Sequence, residues 1–173
     1  MHRAWSHSYA YFYYKEIIVK TIQKTLVTLG PIGSLPAPGT MATLVTLPLA
    51  VGLSLLNIHW FLQLGFATII AVGAYFLIKS VYNFYYQPDP AEIVLDEVAG
   101  TLFIFIGLPI TWYGIIIGFF LFRLLDISKL FGLTYLERLP GATGIMADDL
   151  VAAGLTNLIL RLIVPLACIV VQT

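Results

Sequence analysis

Long apolar runs separated by short polar segments dominate the chain and predict membrane-spanning helices. No Lys, Arg, Asp or Glu occurs over residues 25–78 or over residues 98–122. A helix needs about 20 apolar residues to cross a bilayer, and both runs supply them. The first run predicts a helix over 41–57 and a second over 60–79, with Trp60 and Lys79 as anchors at the membrane interface.

The second long run contains a helix break at Gly107-Leu108-Pro109. We therefore predict a hairpin, with helix three over 91–107 and helix four over 110–129. Each would be about 25–30 Å long at 1.5 Å per residue, which is just enough to span. A single helix would put the flanking charged residues on opposite sides of the membrane. The hairpin brings them to one face and leaves no isolated carboxylate, so we prefer it.

The remaining segments predict two loops, a last helix and an interfacial segment. Three Gly and three Pro make 29–40 a structured loop, and 130–147 is irregular. The last helix is expected over 148–171. Residues 1–28 form an N-terminal segment with a basic, amphipathic helix, which either lies along the membrane surface or packs as an ordinary first helix.

These elements predict an all-α fold: a polytopic membrane helix bundle of about five helices, four to five of them spanning, plus the N-terminal amphipathic helix, in one domain over 1–173. Composition agrees, because 60% of residues are hydrophobic and 10% are charged, against about 25% in ordinary soluble domains. The formal net charge is zero, so we expect no nucleic-acid partner. The positive-inside rule places the basic N-terminal face, Lys79 and Arg138 on the cytoplasmic side.

Ionisable residues are few and lie in four small groups beside the apolar runs. Placing an ionisable residue there costs free energy, so we treat each one as a candidate functional residue. The groups are Asp89, Glu92, Asp96 and Glu97; Arg123, Asp126 and Lys129; Glu137 and Arg138; and Asp148 and Asp149. Simpler roles remain open, namely helix capping by Asp148 or Asp149 and intrahelical ion pairs along the Arg123 group. Glu92 and Asp96 are four residues apart and would share one face of helix three.

If the acidic side chains converge, they favour a bound cation. Two carboxylates at about 4 Å repel by about 1 kcal/mol in water and about 4 kcal/mol at an effective dielectric constant of about 20. The repulsion within several such pairs would outweigh the attraction that Arg123 and Lys129 can supply. Oxygen ligands without nearby His or Cys indicate Mg²⁺ or Mn²⁺ rather than zinc.

Four motifs, in order along the chain, resemble those of the phosphatidylglycerophosphatase A family. They are LPAPGT over 35–40, DPAEIVLDEVAG over 89–100, FRLLDISK over 122–129, and GIMADD over 144–149 followed by Ala153 and Gly154. The chain departs from the family where Ala42-Thr43 replaces a common Gly-Ser pair and where Leu130 replaces a common Pro. Every expected ligand position is kept.

The resemblance implies a lipid phosphatase of the bacterial inner membrane, multi-pass, with its active site on the cytoplasmic face. It would convert phosphatidylglycerophosphate to phosphatidylglycerol by Mg²⁺-assisted attack of water, although an aspartyl-phosphate route stays open. The expected residues fall into three groups. Asp96, Glu97, Asp126 and Asp149 are catalytic; the same four with Asp148 hold the metal; Arg123, Lys129, Pro38, Gly39 and Thr40 bind the substrate. The alternatives are a small ion- or proton-coupled membrane transporter and a lipid-binding scaffold without turnover.

Overall fold

The computed structural model describes residues 2–85 and 90–171, and this part of the chain is all-helical. The helices are α1 (His2–Val27), α2 (Pro38–Leu55), α3 (Trp60–Val81), α4 (Leu95–Ile104), α5 (Trp112–Ser128), α6 (Leu133–Glu137) and α7 (Ala142–Val171). Short 3₁₀ turns occur at Gly30–Ser34, Tyr82–Phe84 and Leu130–Gly132. Within the described ranges, two helices, α2 and α3, are long and apolar enough to cross a membrane by length and composition.

The short helix α4 packs against α2, α3 and α7. Small residues on its surface allow this, since Ala99 is fully buried and Gly100 lies close to two neighbours. A Cβ atom at Gly100 would lie 3.0 Å from the ring of Phe122 and 3.3 Å from the carbonyl oxygen of Asp149. Small residues let helix backbones approach in this way, so Gly100 fixes the spacing of α4 and α7.

The hairpin predicted around Gly107 is present, but its first helix is shorter than expected. α4 ends at Ile104 and α5 begins at Trp112, where the Thr111 hydroxyl accepts a hydrogen bond from the Gly114 N–H at 3.1 Å. The 10 residues of α4 give about 15 Å, half the apolar thickness of a bilayer. The prediction of helix three over 91–107 was therefore wrong in length. The late start has a tertiary cause, because the N–H of Val94 bonds to the carbonyl of Val27 at 3.0 Å instead of joining the helix.

The irregular loop predicted over 130–147 contains α6 and the start of α7. Asp148 and Asp149 therefore lie in the second turn of α7, and the prediction that they open the last helix was wrong. Gly141 has a positive φ of 64° and precedes the helix. Gly144 then packs so closely on the carbonyl of Leu139 that a side chain there would overlap it.

The N-terminal helix α1 is only partly covered. Of the side chains described, Ile18, Ile22 and Leu26 are about half exposed, and Val27 is fully buried where the helix meets the body of the protein. This pattern is compatible with an interfacial helix, which remains a prediction.

We expect Gly100→Leu to lower the thermal unfolding midpoint of the protein in detergent, because the new side chain would overfill the contact between α4 and α7. Overpacking of this kind costs about 1–3 kcal/mol. Gly65→Leu in α3 is the matched control, since a Cβ there meets nothing within 4 Å. Equal midpoints for the two variants would show that the close α4–α7 approach is not required.

Candidate active site

Five carboxylates from three helices converge at one end of the bundle. The ligand atoms of Asp96, Glu97 and Asp149 lie within 4.8 Å of one another, as do those of Asp126, Asp148 and Asp149. Asp149 belongs to both groups. Helices α4, α5 and α7 each contribute, so the residues predicted from separate segments of the sequence meet in one place.

The acidic site is largely closed to solvent. Asp96, Asp126, Asp148 and Asp149 expose 3–8% of their surface. Glu97 Oε2 and Asp149 Oδ2 are buried and have no hydrogen-bond partner among the residues described. A buried charge without compensation costs several kcal/mol, so this arrangement needs positive charge close by.

Arg123 and Lys129 supply part of that charge. Arg123 Nη1 lies 2.8 Å from Asp126 Oδ2 and 3.7 Å from Glu97 Oε1. Lys129 Nζ lies 3.1 Å from Asp126 Oδ1 and also pairs with Asp148. Burial lowers the pKa of Lys129, but its contacts with Asp148 and Asp126 outweigh burial and raise the pKa above its ordinary value. Lys129 therefore stays charged, and two cations face five acids.

The backbone at Lys129 is itself unusual. Lys129 follows α5 in the left-handed region, with φ 49°, and a non-glycine residue seldom adopts this conformation. Strained backbone of this kind tends to occur at functional sites. Here it stands at the turn that brings the ammonium group between Asp126 and Asp148.

The first turn of α2 covers the acidic cluster. The expected loop over 29–40 ends sooner than predicted, because Pro38 already begins the helix after Ala37 in the left-handed region. A Cβ atom at Gly39 would overlap Glu97 Oε1 and lie 3.0 Å from Arg123 Nη2. Glycine therefore lets the backbone approach the site, and the first-turn N–H groups have no partner within the helix.

A cavity of about 230 Å³ joins these residues. All seven charged residues predicted for the site line it, together with Pro38 and Gly39, whereas Thr40 does not. The sequence did not single out Ala37, Ala91, Ile93 and Ile127, which also line the cavity. All four lie inside recognised motifs, and this membership is a signal that could have found them. Ala37 belongs to LPAPGT, Ala91 and Ile93 to DPAEIVLDEVAG, and Ile127 to FRLLDISK.

Two of the four charged groups contain residues that lie outside the cavity. Glu92 is exposed and lies 3.4 Å from Lys24 of α1, outside the cavity. It precedes α4, so the predicted shared helix face with Asp96 does not exist. Glu137 and Arg138 do not line the cavity either, and the Arg138 guanidinium lies over the ring of Tyr135 at 5.7 Å. Asp89 is outside the described residues.

The fold and the site together define an all-helical protein with a carboxylate-rich cavity at one end of an apolar bundle, flanked by two cations and a helix N-terminus. Its donors are oxygen atoms suited to a hard divalent cation, and its basic groups are suited to a phosphate. The chain belongs to the phosphatidylglycerophosphatase A family, whose family model matches residues 25–164.

Individual relatives agree with this membership. The phosphatidylglycerophosphatase A of Haemophilus influenzae is 36% identical over 121 residues, which cover 68% of this chain and 73% of the relative. That of Escherichia coli K12 is 32% identical over 120 residues, covering 66% and 67%. A Bacteroides thetaiotaomicron protein, named as a candidate phosphatidylinositol-3-phosphatase, is 39% identical over 75 residues, covering 42% and 46%. No solved structure matches the chain.

We expect Lys129→Met to destabilise the protein at neutral pH, because it leaves Asp126 and Asp148 buried beside fewer cations. Breaking a buried pair by removing one partner costs about 3–5 kcal/mol. Thermal unfolding in detergent measures the effect, with Lys15→Met on the exposed part of α1 as the control. If both variants unfold at the same temperature, Lys129 does not compensate these acids.

Proposed function

We propose that this protein is a Mg²⁺-dependent phosphatidylglycerophosphatase, which hydrolyses the terminal phosphate monoester of phosphatidylglycerophosphate to give phosphatidylglycerol. The observation that carries the proposal is the convergence of five carboxylates and two cations in one cavity, in a chain of this family. Its relatives of Haemophilus influenzae and Escherichia coli carry the name of that activity.

The residues present fit a magnesium ion. All candidate ligands are carboxylates, and two of their buried oxygens, Glu97 Oε2 and Asp149 Oδ2, lack hydrogen-bond partners in the described part of the chain. With all five acids ionised, Arg123 and Lys129 leave negative charge uncompensated. Asp96, Glu97 and Asp149 would hold the ion, with Asp126 and Asp148 adjacent. When bound, Mg²⁺ would neutralise charge on the phosphate and make water a better nucleophile.

Arg123 and Lys129 would bind the phosphate oxygens. The guanidinium can contact two oxygens at once, whereas the ammonium acts as a point charge. Both groups now pair with carboxylates, so a bound divalent cation would release them for the substrate by taking over part of that compensation. Metal and phosphate binding should therefore favour each other.

The first turn of α2 would supply further phosphate contacts. The N–H groups of Gly39 and Thr40, which have no partner within the helix, and the positive end of its dipole suit an anion. Gly39 leaves the backbone uncovered beside Glu97 and Arg123. A carboxylate of the set Asp96, Glu97, Asp126 and Asp149 would accept the proton of the attacking water. The ester P–O bond then breaks in line with the new bond, and the leaving oxygen takes up a proton, which gives the primary alcohol of phosphatidylglycerol and inorganic phosphate.

We place the protein in the bacterial inner membrane, multi-pass, with the cavity at the cytoplasmic face. The support is the apolar character of α2 and α3 and the large exposed side chains of the bundle, such as Ile69, Phe120 and Leu162. Ile127, which is 69% exposed, lies at the cavity. A lipid headgroup could thus enter while its acyl chains remain among apolar side chains.

The transporter alternative is less well supported. Its ionisable residues would be expected near the middle of the membrane at a repeat interface, whereas these acids gather at one end of the bundle. Lipid phosphate release by the protein in detergent, set against ion flux in liposomes, separates the two functions. Retained Mg²⁺ binding without phosphate release would favour the scaffold.

Asp96→Asn and Asp149→Asn should each reduce phosphate release from phosphatidylglycerophosphate by about 100-fold or more, because each removes a charged ligand. Glu92→Gln is the matched control from the same acidic segment, and it should keep normal turnover because Glu92 lies outside the cavity. Phosphate release at several Mg²⁺ concentrations in detergent measures both. Near-normal turnover of the two Asn variants would exclude the metal site.

Gly39→Ala should reduce turnover by about 100-fold, since the new methyl group must displace Glu97 and small displacements of catalytic groups have effects of this size. Gly52→Ala in the same helix is the control, because a Cβ there meets nothing within 4 Å. Both changes raise helix propensity, so helix propensity does not account for a loss specific to Gly39→Ala. Equal rates would mean that the α2 turn is not part of the site.

A further inference from the structure

Helix α4 ends in a network of side chains that lies at the end opposite its acidic first turn. The last carbonyls of any helix lack intrahelical partners, and here residues 104–106 are buried. Asn157 of α7 donates from Nδ2 to the carbonyls of Ile104 at 2.9 Å and Ile106 at 3.1 Å, with a longer contact of 3.4 Å to that of Phe103. One amide thus contacts three carbonyls at and just after the end of α4.

Arg161 holds this amide in place. Its Nε donates to Asn157 Oδ1 at 2.9 Å, and its Nη2 donates to the Ile106 carbonyl at 2.8 Å. The positive charge lies at the negative end of the α4 dipole, which is favourable. Both side chains belong to α7 and lie one turn apart, so they form a single unit directed at α4.

Helix α2 and helix α3 complete the network. The Ser54 hydroxyl donates to the Phe105 carbonyl at 3.2 Å, and Gln63 Oε1 accepts from the Gly107 N–H at 3.2 Å. Side chains of three neighbouring helices, α7, α2 and α3, thus bind the end of α4 and the segment after it. Apolar packing alone resists sliding weakly, whereas hydrogen bonds to named carbonyls define one register.

We propose that Asn157 and Arg161 are positioning residues for the active site. They hold the C-terminal end of α4, and α4 is one short rigid helix whose first turn carries Asp96 and Glu97. Because α7 carries both this unit and Asp149, the same contacts set the distance between the acids of α4 and the acid of α7. The inference rests on the proposed metal-dependent function.

Asn157→Leu removes the donors while keeping the side-chain size. We expect Mn²⁺ to bind about tenfold more weakly and turnover to fall by a similar factor, as when outer partners of metal ligands are changed. Electron paramagnetic resonance of Mn²⁺ added to the detergent-purified protein measures binding apart from turnover. Thr156→Val is the control, because Thr156 is buried beside Asn157 but donates only to Ala152 of its own helix.

A purely structural role would lower the thermal midpoint of Asn157→Leu without changing Mn²⁺ affinity in the folded fraction, and that result would overturn the proposal. Arg161→Gln is the second variant, and it lies at an exposed position that should tolerate the change. It should weaken Mn²⁺ binding less than Asn157→Leu, and the double variant should lose less affinity than the sum of the two single losses, because Asn157 and Arg161 share a hydrogen bond. Additive losses would contradict this.

Measurements on the unmodified protein distinguish a failure of the proposed metal-dependent function from a failure of the positioning role. If that protein binds no Mn²⁺, the proposed metal-dependent function fails, and with it this inference. If it binds Mn²⁺ and releases phosphate while Asn157→Leu and Thr156→Val behave alike, the positioning role alone is wrong.

Discussion

Repulsion among buried carboxylates is the constraint around which the rest of the structure is arranged. Asp149 lies in both acidic groups, so its carboxylate is within 4.8 Å of ligand atoms of all four other acids. Arg123 and Lys129 reduce the repulsion on the α5 side, where Asp126 contacts both of them. Protein groups compensate less of the negative charge on the side formed by Asp96, Glu97 and Asp149. A divalent cation would therefore stabilise that side most.

The backbone geometry gathers these acids while neighbouring segments bind the backbone polar groups next to α4. A continuous spanning helix over 91–107 would have placed Glu92 on the face of Asp96. The chain instead keeps residues 90–94 outside the helix and ties Val94 to the carbonyl of Val27. This leaves α4 short at both ends, and the buried carbonyls at and after its C-terminal end are bound by Asn157 and Arg161 of α7 and Ser54 of α2. Gly39 and Gly100 permit the close approaches that bring α2 and α7 against it.

Much of this arrangement can be read from the sequence, and the exceptions share a cause. The apolar runs and the break at Gly107 predict the hairpin because both are local signals, and the motifs identify the charged residues of the cavity. Three features depend on contacts between distant segments. The late start of α4 depends on Val27, the early start of α7 depends on the packing of Gly144, and the capping role of Asn157 is invisible in an apolar run. Spacing within one segment carries no information about a partner helix.

Helix α4 links the two ends of the bundle through its own charge distribution. Its positive end carries Asp96 and Glu97, and its negative end meets Arg161. Each of these contacts with the helix dipole contributes about 0.3–1 kcal/mol, and at most about 2 kcal/mol when partly buried. A pair of carboxylates at about 4 Å repels by about 4 kcal/mol at an effective dielectric constant of about 20. The dipole therefore favours the placement of the acids but cannot hold them together, and that task falls to cations at the site and to the fixed register of α4 against α7.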